Sequence, residues 1–231
     1  MVAFEDLDVG GSTARLYVAG DFAPGNPGVV VLHAWWGLND DVIAYADRLA
    51  AAGFAVTAPD LFGGQVASTI EDAERLSSSA ESPEAEPAVE ATALAAVDDL
   101  AARLGPTSRI GVLGFSFGAA YSTLLPAERD RLVASVVYYG VYTGDHLGRS
   151  SAAVLGHFAE TDQFESDEGI AELKDGLRAA GRDVTIYRYP GTGHWFAEPS
   201  RDAYMSDAAD LAFERSVAFL GTHLVSGQPT A

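Results

Sequence analysis

The chain contains no cysteine. That excludes a disulfide framework, a thiolate nucleophile and a cysteine-bearing zinc site, so any nucleophile is an oxygen or a nitrogen. Basic residues are scarce: 14 Lys and Arg stand against 33 Asp and Glu, a formal net charge of -19. A nucleic-acid partner needs a basic footprint and is excluded on that ground. Anionic substrates are disfavoured at low salt. Lys174 is the sole lysine; an arginine-for-lysine bias beside many Ala and Asp fits either genome composition or a salt-loving host. No run approaches the ~18 apolar residues of a membrane span. The opening MVAFEDLDVGG has neither a basic start nor an apolar stretch of signal-peptide length. The expectation is a cytoplasmic protein without a membrane partner.

What is present suits one sizeable core. The 231 residues are 48% hydrophobic and 20% charged, the profile of a single α/β domain over 1–231. Residues 12–18 alternate, with Ala14, Leu16 and Val18 on one side, as in a strand with one wet face. GVVVLH (28–33), FAVTA (54–58) and RIGVLGF (109–115) are short apolar runs of strands buried on both faces. Further strands are expected over 132–140, 152–158 and 183–189. Asn39 caps a helix that Gly53 stops. Helices are also expected over 91–104, 117–127, 166–180 and 200–223, and a surface loop, or a loop between two helices, over the acidic, proline-punctuated 77–90. Strands alternating with helices imply a mostly parallel sheet with helices on both faces. Ligand sites in such sheets lie beyond the carboxyl ends of the strands. The positions after 33, 58, 115, 158 and 189 are therefore the ones to examine.

Gly114-Phe115-Ser116-Phe117-Gly118 matches G-x-S-x-G, directly after a buried strand and opening a helix. That is the setting of a nucleophile elbow, where flanking glycines let the backbone turn sharply and raise the hydroxyl. A serine hydroxyl attacks only when a neighbour takes its proton. Of five histidines, His194 sits in a Gly-rich turn after the strand 183–189. His157 lies inside a strand and suits the core, His223 lies on the last helix, His146 lies in a loop, and His33 suits a structural role after the first buried strand. The base needs an orienting carboxylate. Asp162 follows the strand 152–158, giving the chain order Ser, Asp, His of α/β-hydrolases. Asp60 and Asp145 are rivals that fit this order or placement less well. The oxyanion hole is expected from Phe117 N–H and, from the loop after 28–33, Trp35 N–H. No histidine pair has HExxH-type spacing, so neither a metal nor another cofactor is expected.

At these residues the chain resembles the dienelactone hydrolase family. VVVLHAWWGLNDDVIAYADRLAAAGFAVTAPDLFGG (29–64) is similar to its N-terminal signature. GVLGFSFGAA (111–120), VVYYG (136–140), HFAETDQF (157–164) and GTGHWF (191–196) follow its later blocks in order. The resemblance implies an α/β-hydrolase fold without a large lid domain and the triad Ser116, Asp162 and His194. Three departures stand out. The family's best-known members carry cysteine where Ser116 stands, and a glutamate where Ala34 stands. They also bind a substrate carboxylate with arginine shortly after the histidine, where this chain has Glu198. A neutral ester or lactone is therefore expected, with Ala34, Trp36, Trp195 and Glu198 around it. The same triad also suits an acyltransferase or thioesterase, and a hydrolase scaffold can serve as a non-catalytic binding module. The expected partner is a small ester or lactone, and the expected assembly a monomer or weak homodimer.

Overall fold

Gly10 and Gly11 both hold positive φ, 61° and 100°, the backbone of a two-residue hairpin turn that follows the natural twist of its strands. In the computed structural model, which describes residues 2–225, that turn joins β1 (Val2–Val9) to β2 (Ser12–Ala19) in antiparallel register from Val2↔Ala19 to Val9↔Ser12. β1 is an element that the alternation pattern alone does not announce.

The chain divides into two compact units, Met1–Ile110 and Gly111–Ala231. In the first, strands run in the order β1-β2-β4-β3. β4 (Ala55–Pro59) pairs antiparallel with β2 and parallel with β3 (Gly28–Leu32). β3 and β4 are buried throughout, as their apolar runs predict. β2 alternates only in its first half, because Tyr17 is buried too: its hydroxyl donates to Asp47 at 2.6 Å and its ring meets Phe4 edge-on. Between β3 and β4 lies α1 (Asp40–Ala51), which Asn39 caps by accepting the Val42 N–H at 3.1 Å.

The stretch 77–90 is a loop between two helices, the second of the two readings, but the loop is shorter than expected. α2 (Ile70–Ala80) and α3 (Glu86–Leu104) leave only 81–85 between them. The prolines mislead here: Pro87 sits in the first turn of α3, where a missing N–H costs nothing and its fixed φ favours the helix.

The second unit contains β5 (Ile110–Phe115), α4 (Phe117–Leu124), β6 (Leu132–Tyr138), β7 (Ala153–Ala159), α5 (Asp167–Ala179), β8 (Val184–Tyr189) and α6 (Ser206–Leu224). Its strand order is β5-β6-β7-β8, with β6, β7 and β8 parallel. α6 starts six residues later than expected, because 200–205 form turns. Val137, Val154, Phe158, Leu173 and Leu177 lie in one buried apolar cluster.

Candidate active site

Ser116 links β5 to α4 with φ 46° and ψ -108°. For a residue with a Cβ this costs of order 1–3 kcal/mol and survives only where the surroundings enforce it. Two glycines make the turn possible. A Cβ on Gly114 would collide with the Gly118 carbonyl, and one on Gly140 would lie 2.6 Å from both the Ser116 carbonyl oxygen and the Ala119 Cβ. The Ser116 N–H donates to the Tyr138 carbonyl and its carbonyl accepts from the Ala119 N–H, both at 2.9 Å. The backbone is thus fixed on both sides, leaving the hydroxyl to project from the turn.

The other two members come from neighbouring strand ends. Parallel register sets Ala159 of β7 beside Tyr189 of β8, so the loops leaving these strands start side by side. Asp162 is on the first loop and His194 on the second. The loops are laced together: Glu160 N–H donates to Tyr189 O at 3.2 Å, Thr161 N–H to Thr192 O at 3.1 Å, and Gly191 N–H to the Glu160 carboxylate at 2.9 Å.

His194 Nε2 lies 3.0 Å from Ser116 Oγ, and His194 Nδ1 lies 2.9 and 2.8 Å from the two carboxylate oxygens of Asp162. A carboxylate only accepts, so Nδ1 carries the proton and Nε2 is left to accept from the serine hydroxyl. The facing side chains are 4% and 2% exposed, which keeps water from competing for the bond. Asp162 is itself held, its Oδ1 accepting the N–H groups of Phe164 at 2.9 Å and Glu165 at 3.1 Å. Nearby, burial pushes the Glu165 carboxyl up to about 7; a bond from the Val141 backbone opposes this and the Asp162 charge adds to it. An imidazole so oriented can take a proton from a hydroxyl and return it to a leaving oxygen.

The sequence model of the dienelactone hydrolase family matches residues 14–224. The chain belongs to that family. Among relatives of this dienelactone hydrolase family member is Protein usf of Aquifex pyrophilus, 31% identical, with 97% of this chain and 98% of the relative covered. Another, from Bradyrhizobium sp, is named as a probable 2-oxo-3-(5-oxofuran-2-ylidene)propanoate lactonase; it is 27% identical, with 96% of each chain covered. Among solved structures, a dienelactone hydrolase-like promiscuous phosphotriesterase from metagenomic libraries superimposes with a TM-score of 0.83 at 23% identity, over 97% of this chain and 98% of the other. The fold is that of an α/β-hydrolase, with a mostly parallel sheet and no large lid, and the protein is an ester or lactone hydrolase of the dienelactone hydrolase family.

Other expected site residues of this family member take varied places. Phe117 opens α4, directly after Ser116. Trp195 follows His194 with φ 63° and packs on Phe164 at 5.3 Å between ring centroids. Glu198 is 2% exposed and its carboxylate accepts the Tyr139 hydroxyl at 3.0 Å, so the charge expected to face substrate is directed inward. Trp35, Trp36 and Ala34 belong to the first unit, in the turn after β3. The two tryptophan rings meet edge-on there, and Trp36 and Ala34 are buried, which removes both side chains from direct contact with solvent.

Two other histidines, His33 and His157, are held in the interior by hydrogen bonds. His33 Nε2 accepts the Leu61 N–H at 3.0 Å while Nδ1 donates to Ala34 O at 2.7 Å; its burial lowers its pKa. Asp60, a rival acid, accepts the Phe62 N–H within its own turn. His157 accepts from the Tyr189 hydroxyl at 2.8 Å and donates to Ser216 Oγ at 3.0 Å. Burial, with the Arg215 charge second, lowers its pKa to about 3. Among the described residues no group of three or more His, Asp or Glu is arranged to hold a metal ion, and no helix is long and apolar enough to cross a membrane.

Residues that the motif reading missed include Tyr139 and Phe164. Tyr139 is 4.9 Å from His194 between ring centroids and Phe164 is 4.8 Å away. Both lie in blocks quoted for the family resemblance, yet an aromatic in such a block carries no mark distinguishing a neighbour of the base from a core residue.

Proposed function

We propose that this hydrolase cleaves a neutral carboxylic ester or lactone through a Ser116–His194–Asp162 acyl-enzyme mechanism. What supports the reading most is the unbroken path from the Asp162 carboxylate through His194 to the Ser116 hydroxyl. In the first half-reaction Ser116 Oγ bonds to the acyl carbon as its proton moves to His194 Nε2. Asp162 stabilises the imidazolium without taking the proton. The Phe117 N–H, one residue past the nucleophile, receives the oxyanion; such a donor is typically worth about 2.7–4 kcal/mol in the transition state. Collapse breaks the acyl carbon–oxygen bond, and the leaving oxygen takes the proton back from Nε2. A water then attacks the acyl-enzyme, again losing its proton to Nε2, and Ser116 leaves with that proton. From a lactone the product is one hydroxy acid; from an ester it is an acid and an alcohol.

Preference for a neutral substrate rests on charge. Glu160, Asp167 and Glu168 crowd the segment around Asp162, on a chain of net charge -19. Arg188, whose strand position pairs with Phe158, is engaged by Asp167 at 2.7 Å.

Labelling with a fluorophosphonate tests the nucleophile. Modification at Ser116 in the unaltered protein, absent from Ser116→Ala, is the expected result. Folded protein that is not labelled contradicts the mechanism. Turnover of a neutral lactone beside its carboxylate-bearing analogue tests the charge preference, and faster turnover of the anionic compound at low salt contradicts it.

A further inference from the structure

Among the described residues, three other than glycine hold φ in the left-handed region: Ser116, Trp195 and Tyr139. The first is the proposed nucleophile and the second follows the base. Tyr139, with φ 37°, neither belongs to the Ser116–His194–Asp162 set nor adjoins any of its members in the chain. Such a backbone persists only where its surroundings over-determine it, and it clusters at sites where geometry matters.

Tyr139 is fixed at every level. Its N–H donates to His157 O at 2.8 Å, holding the residue just beyond β6 against β7. The side chain is fully buried. Its ring lies 4.9 Å from the His194 imidazole at 57°, and 5.4 Å from Phe196 edge-on. Its hydroxyl donates to Glu198 Oε1 at 3.0 Å. Glu198 shares the loop of His194, four residues on. That loop is folded back on itself by Glu198 N–H to Trp195 O and by Met205 N–H to Phe196 O, both 3.0 Å. A carboxylate 2% exposed is costly to bury and is tolerated where it is hydrogen-bonded. A strained backbone and a buried carboxylate, two costly features, therefore meet in one hydrogen bond. That bond ties the end of β6 to the loop bearing the imidazole, while the same tyrosine ring backs that imidazole.

We propose that Tyr139 and Glu198 are positioning residues: their hydrogen bond and the tyrosine ring hold His194 at the distance and angle from Ser116 that proton transfer needs. The proposal rests on the triad reading above. It also assigns Glu198 a role other than substrate contact.

The test is a double-mutant cycle on the full chain with p-nitrophenyl acetate, using Tyr139→Phe, Glu198→Ala and both together, with Glu198→Gln as the conservative variant. Misplacing a catalytic group by 1 Å can cost about 100-fold, so each single variant is expected to lower kcat by about 10- to 100-fold. KM should stay within about twofold, since ground-state binding is not touched. The double variant should lose no more than either single one. Glu198→Gln, whose amide oxygen still accepts the tyrosine hydroxyl, should recover most of the loss seen in Glu198→Ala. Unchanged kcat in folded Tyr139→Phe overturns the proposal, and so do additive losses. A Glu198→Gln variant as impaired as Glu198→Ala, with the acid limb of its pH profile displaced, assigns a charge effect and likewise overturns it. If Glu198→Ala fails to fold, Tyr139→Phe decides, since it deletes one oxygen and keeps the ring.

A second readout needs no turnover. The downfield NMR resonance of the His194 Nδ1–H should be sharp in the unaltered protein and lost to solvent exchange in Tyr139→Phe. If Ser116 proves inert to fluorophosphonate, the triad reading falls, and this resonance alone decides the brace. Loss of the resonance on removing the hydroxyl supports it, and an unaltered signal overturns it.

Discussion

Replacing Asp162 by Asn is expected to harm this enzyme more than the loss of one charge suggests, and the reason lies in which oxygen does what. Asp162 Oδ1 accepts two backbone N–H groups, from Phe164 and Glu165, and both oxygens lie within 2.9 Å of His194 Nδ1. An asparagine in this pocket places its carbonyl where Oδ1 stands, because only an acceptor satisfies two N–H donors. Its NH2 group then falls where Oδ2 stands, 2.8 Å from Nδ1. An N–H at the shorter of the two distances favours Nδ1 as the acceptor over the Nδ1–H tautomer, so the ring proton shifts toward Nε2. The nitrogen facing Ser116 then donates instead of accepting, and the proposed general base is lost in the resting enzyme. In a serine protease with equivalent geometry the wrong tautomer costs roughly 10⁴ in kcat, which is about 5 kcal/mol of barrier. The assay is kcat for p-nitrophenyl butyrate at pH 7.5, with circular dichroism to confirm folding. Asp162→Ala, which leaves Nδ1 able to hold its proton, should be no worse than Asp162→Asn. A folded Asp162→Asn enzyme within about tenfold of the unaltered rate refutes the tautomer argument.

Other expectations follow from strain, close approach and burial. Ser116→Gly should abolish turnover and raise stability to urea by about 1 kcal/mol, since glycine relieves the positive φ at the turn but has more conformational entropy to lose. Unchanged or lower stability contradicts the strain assignment. Gly114→Ala should lower stability by about 3 kcal/mol or prevent folding, because its Cβ meets the Gly118 carbonyl, a backbone atom that cannot swing away; a urea midpoint within error of the parent counts against it. The Glu165 carboxyl, raised to about 7 in the folded chain, favours folding below its ordinary value near 4.5 and loses that contribution as pH rises to about 7. Glu165→Gln should therefore flatten the fall in unfolding free energy between pH 5 and pH 8, as about two units of titration are removed. His157 titrates in the opposite sense. With a pKa lowered to about 3, it stabilises the fold above its ordinary 6.5 and loses that contribution as pH falls toward 3. His157→Gln should be less acid-sensitive than the parent over that window, even if weaker at neutral pH.

Strands buried on both faces were the most legible part of the fold. β3, β4 and β5 are continuous apolar runs, and the turns after them stand out from the sequence alone. The elbow was readable for the same reason: a strand, two glycines and a helix surround Ser116. Asp162 and His194 are candidates from chain order and from their place after strands, although the register pairing Ala159 with Tyr189 is not legible in the sequence. The hairpin strand β1 is not legible in the sequence because its partner, not its own pattern, makes it a strand. Pro87 read as a breaker because proline inside and proline at the start of a helix look alike without the preceding turn. Glu198 shows the limit most clearly. Counted along the chain it stands where a substrate-facing side chain is expected; in space its direction is set by Tyr139, whose own placement depends on a backbone conformation that no side-chain pattern encodes.

The pairing of β7 with β8 has a consequence for how this enzyme can change. Side chains alternate faces along a strand, so sliding one strand past the other by a single residue would invert every contact it makes and shift its outgoing loop by about 3.3 Å. Such a slip would carry the imidazole out of reach of both its neighbours at once. Point changes in these loops can be absorbed locally, whereas one inserted or deleted residue inside Val184–Tyr189 cannot. Variation in length is therefore free to accumulate between such strands, and is barred within them.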